Sequence, residues 1–472
     1  MKIEDFQKHS HEIVDWMFNY LKEIEKHPIK PNIKPGDIYK SLPSNPPKSG
    51  ESFDKIFDDF NRKIIPGITH WQSPNFHAFF PANNSYPSIL AEMLISTIGA
   101  QCMMWDTSPA ATELEQKVTE WIRDSINLPS NWSGVINDTA SVATICSLLT
   151  ARENHSKFKI NTDGFSDNKY KVYCSKETHS SIEKAVKIIG LGSKNLYKID
   201  TNTNLSMDLK KLENQITKDI ETGNIPLAII STYGTTGTVA FDSINKIALI
   251  AKKYKIWHHV DAAYAGSALF LDEYKKDIKN IKYADSFVFN PHKWMLTNFD
   301  CSLYYVKDEE KLIKTLEIHP EYLKSSSKNI KNYKDWSIQL GRRFRALKLW
   351  FVIRSYGIDG IKKYLKNHIN LAKHLKKIIE DDKDFELTTE QNMNMINFRF
   401  NPNKSKNNNE INSLNIKLTD NLNKTGKIYL SHTMINNIYS IRMPIGSTTV
   451  TIQNIESSWK LIKKVSQDII KN

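Results

Sequence analysis

Between residues 112 and 290 short apolar runs alternate with amphipathic stretches, and this alternation restricts the possible folds more than any other feature of the chain. Apolar runs of strand length separated by helical patterns are the signature of a mostly parallel sheet covered on both faces. The spacing predicts strands over 171–174, 227–232, 256–260 and 286–289, with helices over 180–189, 207–217 and 243–254. Ligands of such sheets bind beyond the carboxyl ends of the strands, so the residues that follow each strand are the first functional candidates.

The flanks read differently. Phe6, Ile13, Met17, Leu21 and Ile24, with Val14 and Phe18 beside them, recur at helical spacing and form one apolar stripe that requires a packing partner. The proline-rich passage over 29–47 predicts an extended arm, wrapping either a neighbouring subunit or its own domain. Beyond about residue 350, amphipathic helices alternate with period-two strands such as Ile396, Phe398 and Phe400, while the Asn/Lys run over 401–409 predicts a surface loop. A chain of 472 residues should divide into two or three domains. We expect an N-terminal helical swapping segment over 1–85, a large domain over 86–350 and a small α+β domain over 351–472.

The formal net charge of +13 raises the question of a nucleic-acid partner, but the lysines are dispersed among acidic residues and form no basic block. A solvated basic surface is the expectation, with no nucleic acid bound. Cys102, Cys146, Cys174 and Cys301 lack CxxC spacing and sit in core-like segments, which predicts buried free thiols, no metal and a reducing compartment. The polar start MKIEDFQKHS and the absence of a long apolar stretch predict a cytoplasmic protein outside the membrane.

Four positions carry candidate chemistry. Lys293, in FNPHKW, follows the 286–289 run where Pro291 turns the chain toward the crevice. Most lysines are solvated, but an amine at a strand terminus can form an imine with an aldehyde cofactor, the use made of lysine by pyridoxal-phosphate (PLP) enzymes. Asp261, in HVDAAYAGS, ends a buried run among Ala262, Ala263 and Gly266; it suits a pyridinium nitrogen, or it caps a helix. In NDTAS, Thr139 and Ser141 precede a helical pattern where free N–H groups favour a phosphate, although plain N-capping calls for the same residues. His179 follows the 171–174 run and is either structural or stacked on a cofactor ring with a part in proton transfer.

Taken together, eight segments in register resemble the group II PLP-dependent decarboxylases, most closely the aromatic-L-amino-acid decarboxylases. They are HWQSPNFHAFFPANNSYP (70–87), SPAATELE (108–115), THSSIEKA (178–185), GTTGTVAFD (234–242), WHHVDAAYAGSA (257–268), ADSFVFNPHKW (284–294), NFDCS (298–302) and LGRRFRALKLWFV (340–352). The resemblance implies the α/β fold type I of PLP-dependent transferases, with a mostly parallel seven-stranded sheet in the large domain, and a homodimer with shared active sites. It implies that Lys293 is the Schiff-base lysine, that Asp261 pairs with the pyridinium nitrogen, that His179 stacks on the ring and that Thr236 lies beside the ring hydroxyl. Thr139, Ala140, Ser141 and Asn290 match phosphate contacts. Trp71, Phe79, Phe80 and Pro81, with Met103 from the partner chain, match the side-chain pocket, and His292 fits a position near the substrate carboxylate. Tyr322, in HPEYLKS, matches the tyrosine that returns a proton to Cα after carbon dioxide leaves; relatives with phenylalanine there tend toward aldehyde formation.

The implied activity is decarboxylation of tryptophan, phenylalanine, tyrosine or dopa. The alternatives are a histidine or glutamate decarboxylase, an aromatic aldehyde synthase, or a non-catalytic basic binding protein on the same scaffold. Phe79 and Ala82 stand where catechol-handling relatives carry hydroxyls, and Gly341 leaves room for an indole, which leans toward tryptophan or phenylalanine. Asp138 departs from the small or neutral residue usual beside the phosphate, and we expect its carboxylate to point outward. The loop that opens at Tyr322 is a few residues shorter than in relatives.

Overall fold

The alternating region folds into a seven-stranded sheet built from β1 (Ser133–Asn137), β2 (Tyr170–Ser175), β3 (Leu196–Ile199), β4 (Ile225–Thr232), β5 (Trp257–Asp261), β6 (Ser286–Phe289) and β7 (Ser302–Val306). The spatial order is β1-β7-β6-β5-β4-β2-β3. This computed structural model describes residues 1–166, 169–318, 330–402, 404–405 and 407–471. Neighbours from β6 through β3 run parallel, whereas β7 is antiparallel to both β6 and β1. Consequently β1 points the same way as β6, and its carboxyl end joins the same edge of the sheet.

Period-two alternation explains the two covering layers. Val172 and Cys174 of β2 and Ala228 and Ile230 of β4 enter one buried cluster with Val142 and Cys146 of the Ala140–Ser156 helix. The intervening Tyr173 and Ile229 enter the opposite cluster with Leu212, Ile216 and Ile247. The four expected strands fall on β2, β4, β5 and β6 with ends shifted by a residue or two. The remaining three strands carry weaker signals: β3 is a half-exposed edge and β1 opens on Ser133 and Gly134.

Two compact units are present. One is Ala82–Ile369, which holds this sheet; the other combines Met1–Pro81 with Asn370–Asn472. In the second unit the two-residue strand Phe76–His77 pairs in parallel with Tyr429–Ile435 and completes a five-stranded sheet. The N-terminal segment therefore folds with the C-terminal residues, a pairing too short to leave a periodic signal. Ile396, Phe398 and Phe400 are buried as expected on the strand Met395–Phe400. Two local readings change. The proline-rich arm contains a helical turn, Asp37–Ser41, entered through Gly36 at φ 94°. The Asn/Lys run is not all surface loop, because Asn401 is buried with its Oδ1 accepting the Ser405 N–H and a helix begins at Asn408.

The N-terminal helix Ile3–Lys22 buries none of its residues, and Phe6, Ile13, Val14 and Phe18 of its apolar stripe are exposed. Met17 and Leu21 are half-buried and Ile24 is buried, so among the described residues the stripe is covered only in part. No helix among the described residues is long and apolar enough to cross a membrane. All four cysteines are free and buried.

Candidate active site

The carboxyl ends of five strands converge on one edge of the Ala82–Ile369 sheet and deliver the candidate residues of that unit. Register sets the frame: Thr232 at the end of β4 lies opposite Asp261 at the end of β5, which lies opposite Val288 of β6. Asp261 is the last residue of its strand and is 4% exposed. Its Oδ1 accepts the Ala263 N–H at 3.0 Å, which fixes the turn that follows. The small neighbours serve the backbone: a Cβ on Gly266 would sit 2.4 Å from the Phe289 Cβ, so this glycine lets the turn pack on β6 instead of making room for a ligand ring.

After β6, Asn290 precedes a single helical turn, Pro291–Trp294, whose Pro291 occupies the first position without sacrificing a hydrogen bond. The turn places Lys293 one residue before Trp294, which is anchored by Tyr264 stacked at 5.3 Å and by its Nε1–H donating to His368 Nδ1 at 2.9 Å. Desolvation pushes the Lys293 amine below its ordinary pKa and the Asp261 charge pulls it partly back. A neutral amine is the nucleophilic form. His179 responds to the same two groups: burial and then Lys293 lower its pKa, and Asp261 raises it. Lys293, Asp261 and His179 are thus within electrostatic reach of one another.

Both flanking histidines have a defined tautomer. His179 precedes the Ser181–Ile188 helix instead of opening it, and its Nδ1 accepts the Ser181 N–H at 3.2 Å, which leaves Nε2–H as the ring donor. His292 Nδ1 accepts the Cys301 N–H at 2.9 Å, again leaving Nε2–H. Burial and the adjacent Lys293 push His292 down to about 3, so it is a neutral donor at physiological pH. Thr236 is exposed in the turn after β4, where Gly234 adopts φ 91° and a Cβ on it would come within 2.5 Å of Ala265.

At the end of β1, Thr139 caps the Ala140–Ser156 helix without a side-chain hydrogen bond to its first turn. The leading N–H groups, those of Ala140 and Ser141 among them, have no intrahelical acceptor, which suits an anion. Asp138 engages the residue that follows it. Its Oδ1 accepts the Thr139 N–H at 2.5 Å and the Thr139 hydroxyl at 3.2 Å, because those are the nearest donors a carboxylate at this position can reach.

The pocket residues divide between the two units. In Met1–Pro81 with Asn370–Asn472, Trp71 and Phe79 stack at 5.7 Å and present exposed faces, Phe80 lies under the Arg442 guanidinium at 5.3 Å, and Pro81 packs on Gly446. In the other unit, Met103 is half-buried, held by its carbonyl accepting the Lys334 N–H at 2.8 Å, and Gly341 faces the neighbouring Gln101 with room for a Cβ. Tyr322 lies outside the described residues.

Sequence reasoning passed over the supports of this site. Arg342 is buried and donates Nη2 to Glu115 Oε1 at 2.6 Å and to the Ile136 carbonyl at 3.0 Å, and Nη1 to the Cys102 carbonyl at 3.2 Å. Glu115 Oε1 also accepts the Ile136 N–H at 2.9 Å, so one ion pair ties the helix Pro109–Ser125, β1 and the Met103 segment together. The signal was available: Glu115 falls on the helical face of Ala111, Val118 and Ile122, where a charge demands a buried partner. Replacing Arg342 with Ala leaves Glu115 buried and unpaired, and should cost about 3 kcal/mol or more by chemical denaturation. The paired replacement Glu115→Leu with Arg342→Met should cost much less; equal losses would contradict a pair that matters chiefly through its compensation.

Residues 35–401 match the pyridoxal-dependent decarboxylase conserved domain. The chain is 40% identical to tyrosine decarboxylase 3 of Petroselinum crispum, over 98% of this chain and 91% of that one. It is 39% identical to phenylacetaldehyde synthase of Arabidopsis thaliana, over 98% and 96%. Its fold superposes with a TM-score of 0.96 on the crystal structure of Oryza sativa TDC with PLP and tryptamine, at 33% identity and 99% coverage of both chains.

Proposed function

Because this chain belongs to the pyridoxal-dependent decarboxylase family, we propose that it removes the α-carboxylate of an aromatic L-amino acid, releasing the arylalkylamine and carbon dioxide. The observation that carries the reading is the meeting of a desolvated Lys293 amine with the buried Asp261 carboxylate and His179 at the carboxyl edge of the sheet. These residues suit PLP: a desolvated amine for its aldehyde and a buried carboxylate for its ring nitrogen. When bound, PLP supplies a cationic ring that takes up the electron pair of the breaking Cα–carboxylate bond.

The chain's own groups have distinct tasks. Lys293 would hold the cofactor's aldehyde through its amine. Asp261 would keep the ring nitrogen protonated, and a buried carboxylate is far more effective at this than a solvated one. Thr139, Ala140, Ser141 and Asn290 would hold the phosphate, Thr236 would serve the ring hydroxyl, and His179 would stack on the ring. His292, as a neutral Nε2–H donor, orients the substrate carboxylate without neutralising the charge it must lose. Trp71, Phe79, Phe80 and Pro81 of one unit, and Met103 and Gly341 of the other, are the candidates for contact with the substrate side chain, and their apolar character favours tryptophan or phenylalanine over dopa. Tyr322 returns the proton to Cα.

A relative that makes an aldehyde is nearly as similar to this chain as one that decarboxylates tyrosine, so overall identity does not separate the two chemistries. Tyr322 favours the amine. Purified protein with PLP, offered tryptophan, tyrosine, phenylalanine, dopa and histidine, should yield arylalkylamines by mass; ammonia, peroxide and an aldehyde would overturn the reading. Tyr322→Phe should divert a large share of turnover to the aldehyde, detected as peroxide, and unchanged amine yield would remove Tyr322 from its role.

The reading extends to a cytoplasmic homodimer in which the N-terminal segment packs on the partner and Met103 serves the partner's pocket. The exposed Phe6, Ile13, Val14 and Phe18 support it in one unit, and exposed Leu90, Met93, Leu94 and Ile98 in the other, since apolar patches of this kind mark association surfaces. Four buried free thiols suit a reducing compartment.

A further inference from the structure

Asp138 immediately precedes Thr139, Ala140 and Ser141, the residues proposed above to hold the phosphate. Its Oδ1 already accepts from the Thr139 N–H at 2.5 Å and from the Thr139 hydroxyl at 3.2 Å, so one internal oxygen occupies two donors of the residue that leads the seat. No Lys or Arg among the described residues forms an ion pair with it. Arg345 feels the Asp138 charge, but its guanidinium is engaged bidentately by Asp300 at 3.0 Å for both contacts. The Thr139 side chain, the natural N-cap of the Ala140–Ser156 helix, makes no cap bond, consistent with its hydroxyl being drawn to Asp138 instead.

We propose that Asp138 is an internal anion that competes with the cofactor's phosphate and thereby sets how tightly the chain retains PLP. The inference rests on the PLP reading above. It follows from charge and donor supply together. A phosphate arriving at this helix start meets a fixed negative charge a few ångströms away, and it must share or displace the bonds that Asp138 holds. At the effective dielectric of a partly buried site, a like charge at that range weakens binding by about tenfold or more. In the cofactor-free chain the same carboxylate stabilises the helix start, as an acidic group at a helix N-terminus does.

The apoprotein, its Asp138→Asn form and its Asp138→Ala form are titrated with PLP and, separately, with pyridoxal, which lacks the phosphate. Affinity is read from fluorescence quenching, and thermal midpoints are recorded for the apo forms. Both variants should bind PLP about tenfold more tightly while pyridoxal affinity stays within about twofold, because only the phosphate meets the removed charge. The apo midpoint should fall in Asp138→Ala, where the Thr139 N–H loses its acceptor. A purely structural role would lower the midpoint and leave the ratio of the two affinities unchanged. Unchanged or weaker PLP binding in both variants, or equal tightening toward pyridoxal, overturns the proposal. A wild-type chain that binds neither compound saturably defeats the PLP reading itself, a different and recognisable result.

Discussion

Lys293→Ala should leave a folded protein whose turnover of aromatic amino acids is lower by a thousandfold or more, on the order of what removal of a covalent catalyst costs elsewhere. The reason is chemical. Lys293 follows β6 on a turn pinned by Trp294, and its amine is kept toward the neutral form by desolvation, with Asp261 opposing. Alanine supplies no nucleophile, and no other residue named at this edge offers a primary amine. Lys293→Arg should fail equally, since a guanidinium stays protonated and forms no bond to an aldehyde. The checks are product formation, the visible absorbance of covalently held cofactor, and far-ultraviolet circular dichroism to establish folding. Retained activity in a folded Lys293→Ala protein would falsify the assignment and the mechanism with it.

Acid should destabilise the protein strongly between pH 7.5 and 5. Burial pushes His258, His259 and His292 down to about 3 and His77 down to about 4, from an ordinary value of 6.5. A histidine with a depressed folded pKa is neutral in the native state while the unfolded chain gains a proton, so stability falls as pH drops below 6.5. At pH 5 each contributes a loss of about 2 kcal/mol, roughly 8 kcal/mol for the four. Two buried carboxyls act in the opposite sense. Burial raises Asp242 and Asp285 to about 6, so the native state takes up their protons first and gains stability as pH falls from 6 toward 3.8. Together they return about 3 kcal/mol at pH 5, leaving a net loss of about 5 kcal/mol. Urea denaturation of the holoprotein at the two pH values should show a much lower midpoint at pH 5. Equal midpoints would mean that the histidines are solvated or proton-bound in the native state.

The structure also explains how these histidines are tolerated. In β6's neighbour β5, His258 and His259 are adjacent residues facing opposite layers, and each uses one ring nitrogen: His258 Nε2 meets Ser231 Oγ at 2.7 Å and His259 Nδ1 meets Ser286 Oγ at 2.8 Å. Their other ring nitrogens have no partner, which is why a second proton is so unfavourable. Nothing in WHHVD distinguishes these structural imidazoles from the candidate donors His179 and His292; only the layer each enters does so.

Much of the fold was legible because periodicity reports burial directly. A run such as SFVF between helical stretches has few alternatives to a buried strand, and β6 occupies 286–289 as read. The chemistry at Lys293 and Asp261 was legible for a related reason, since a charge placed at the end of an apolar strand implies a compensating ligand or partner. The partners of Asp138 were not legible, because side-chain direction depends on which donors the backbone turns toward it. The need for glycine at 266 was not legible either, because the Phe289 that a Cβ there would strike is 23 positions away in the chain.

Local sequence, then, determined four of the seven strands of the large sheet, the helices between them and the residues that leave its carboxyl edge, because alternation and charge placement are properties of neighbouring residues. Tertiary structure alone decided that Arg342 would compensate Glu115, that Phe76 and His77 would pair with Tyr429 and Leu430, and that Asp138 would turn back on Thr139. Those outcomes depend on which distant groups packing brings within a few ångströms, and hydrogen bonds and ion pairs act only over that range.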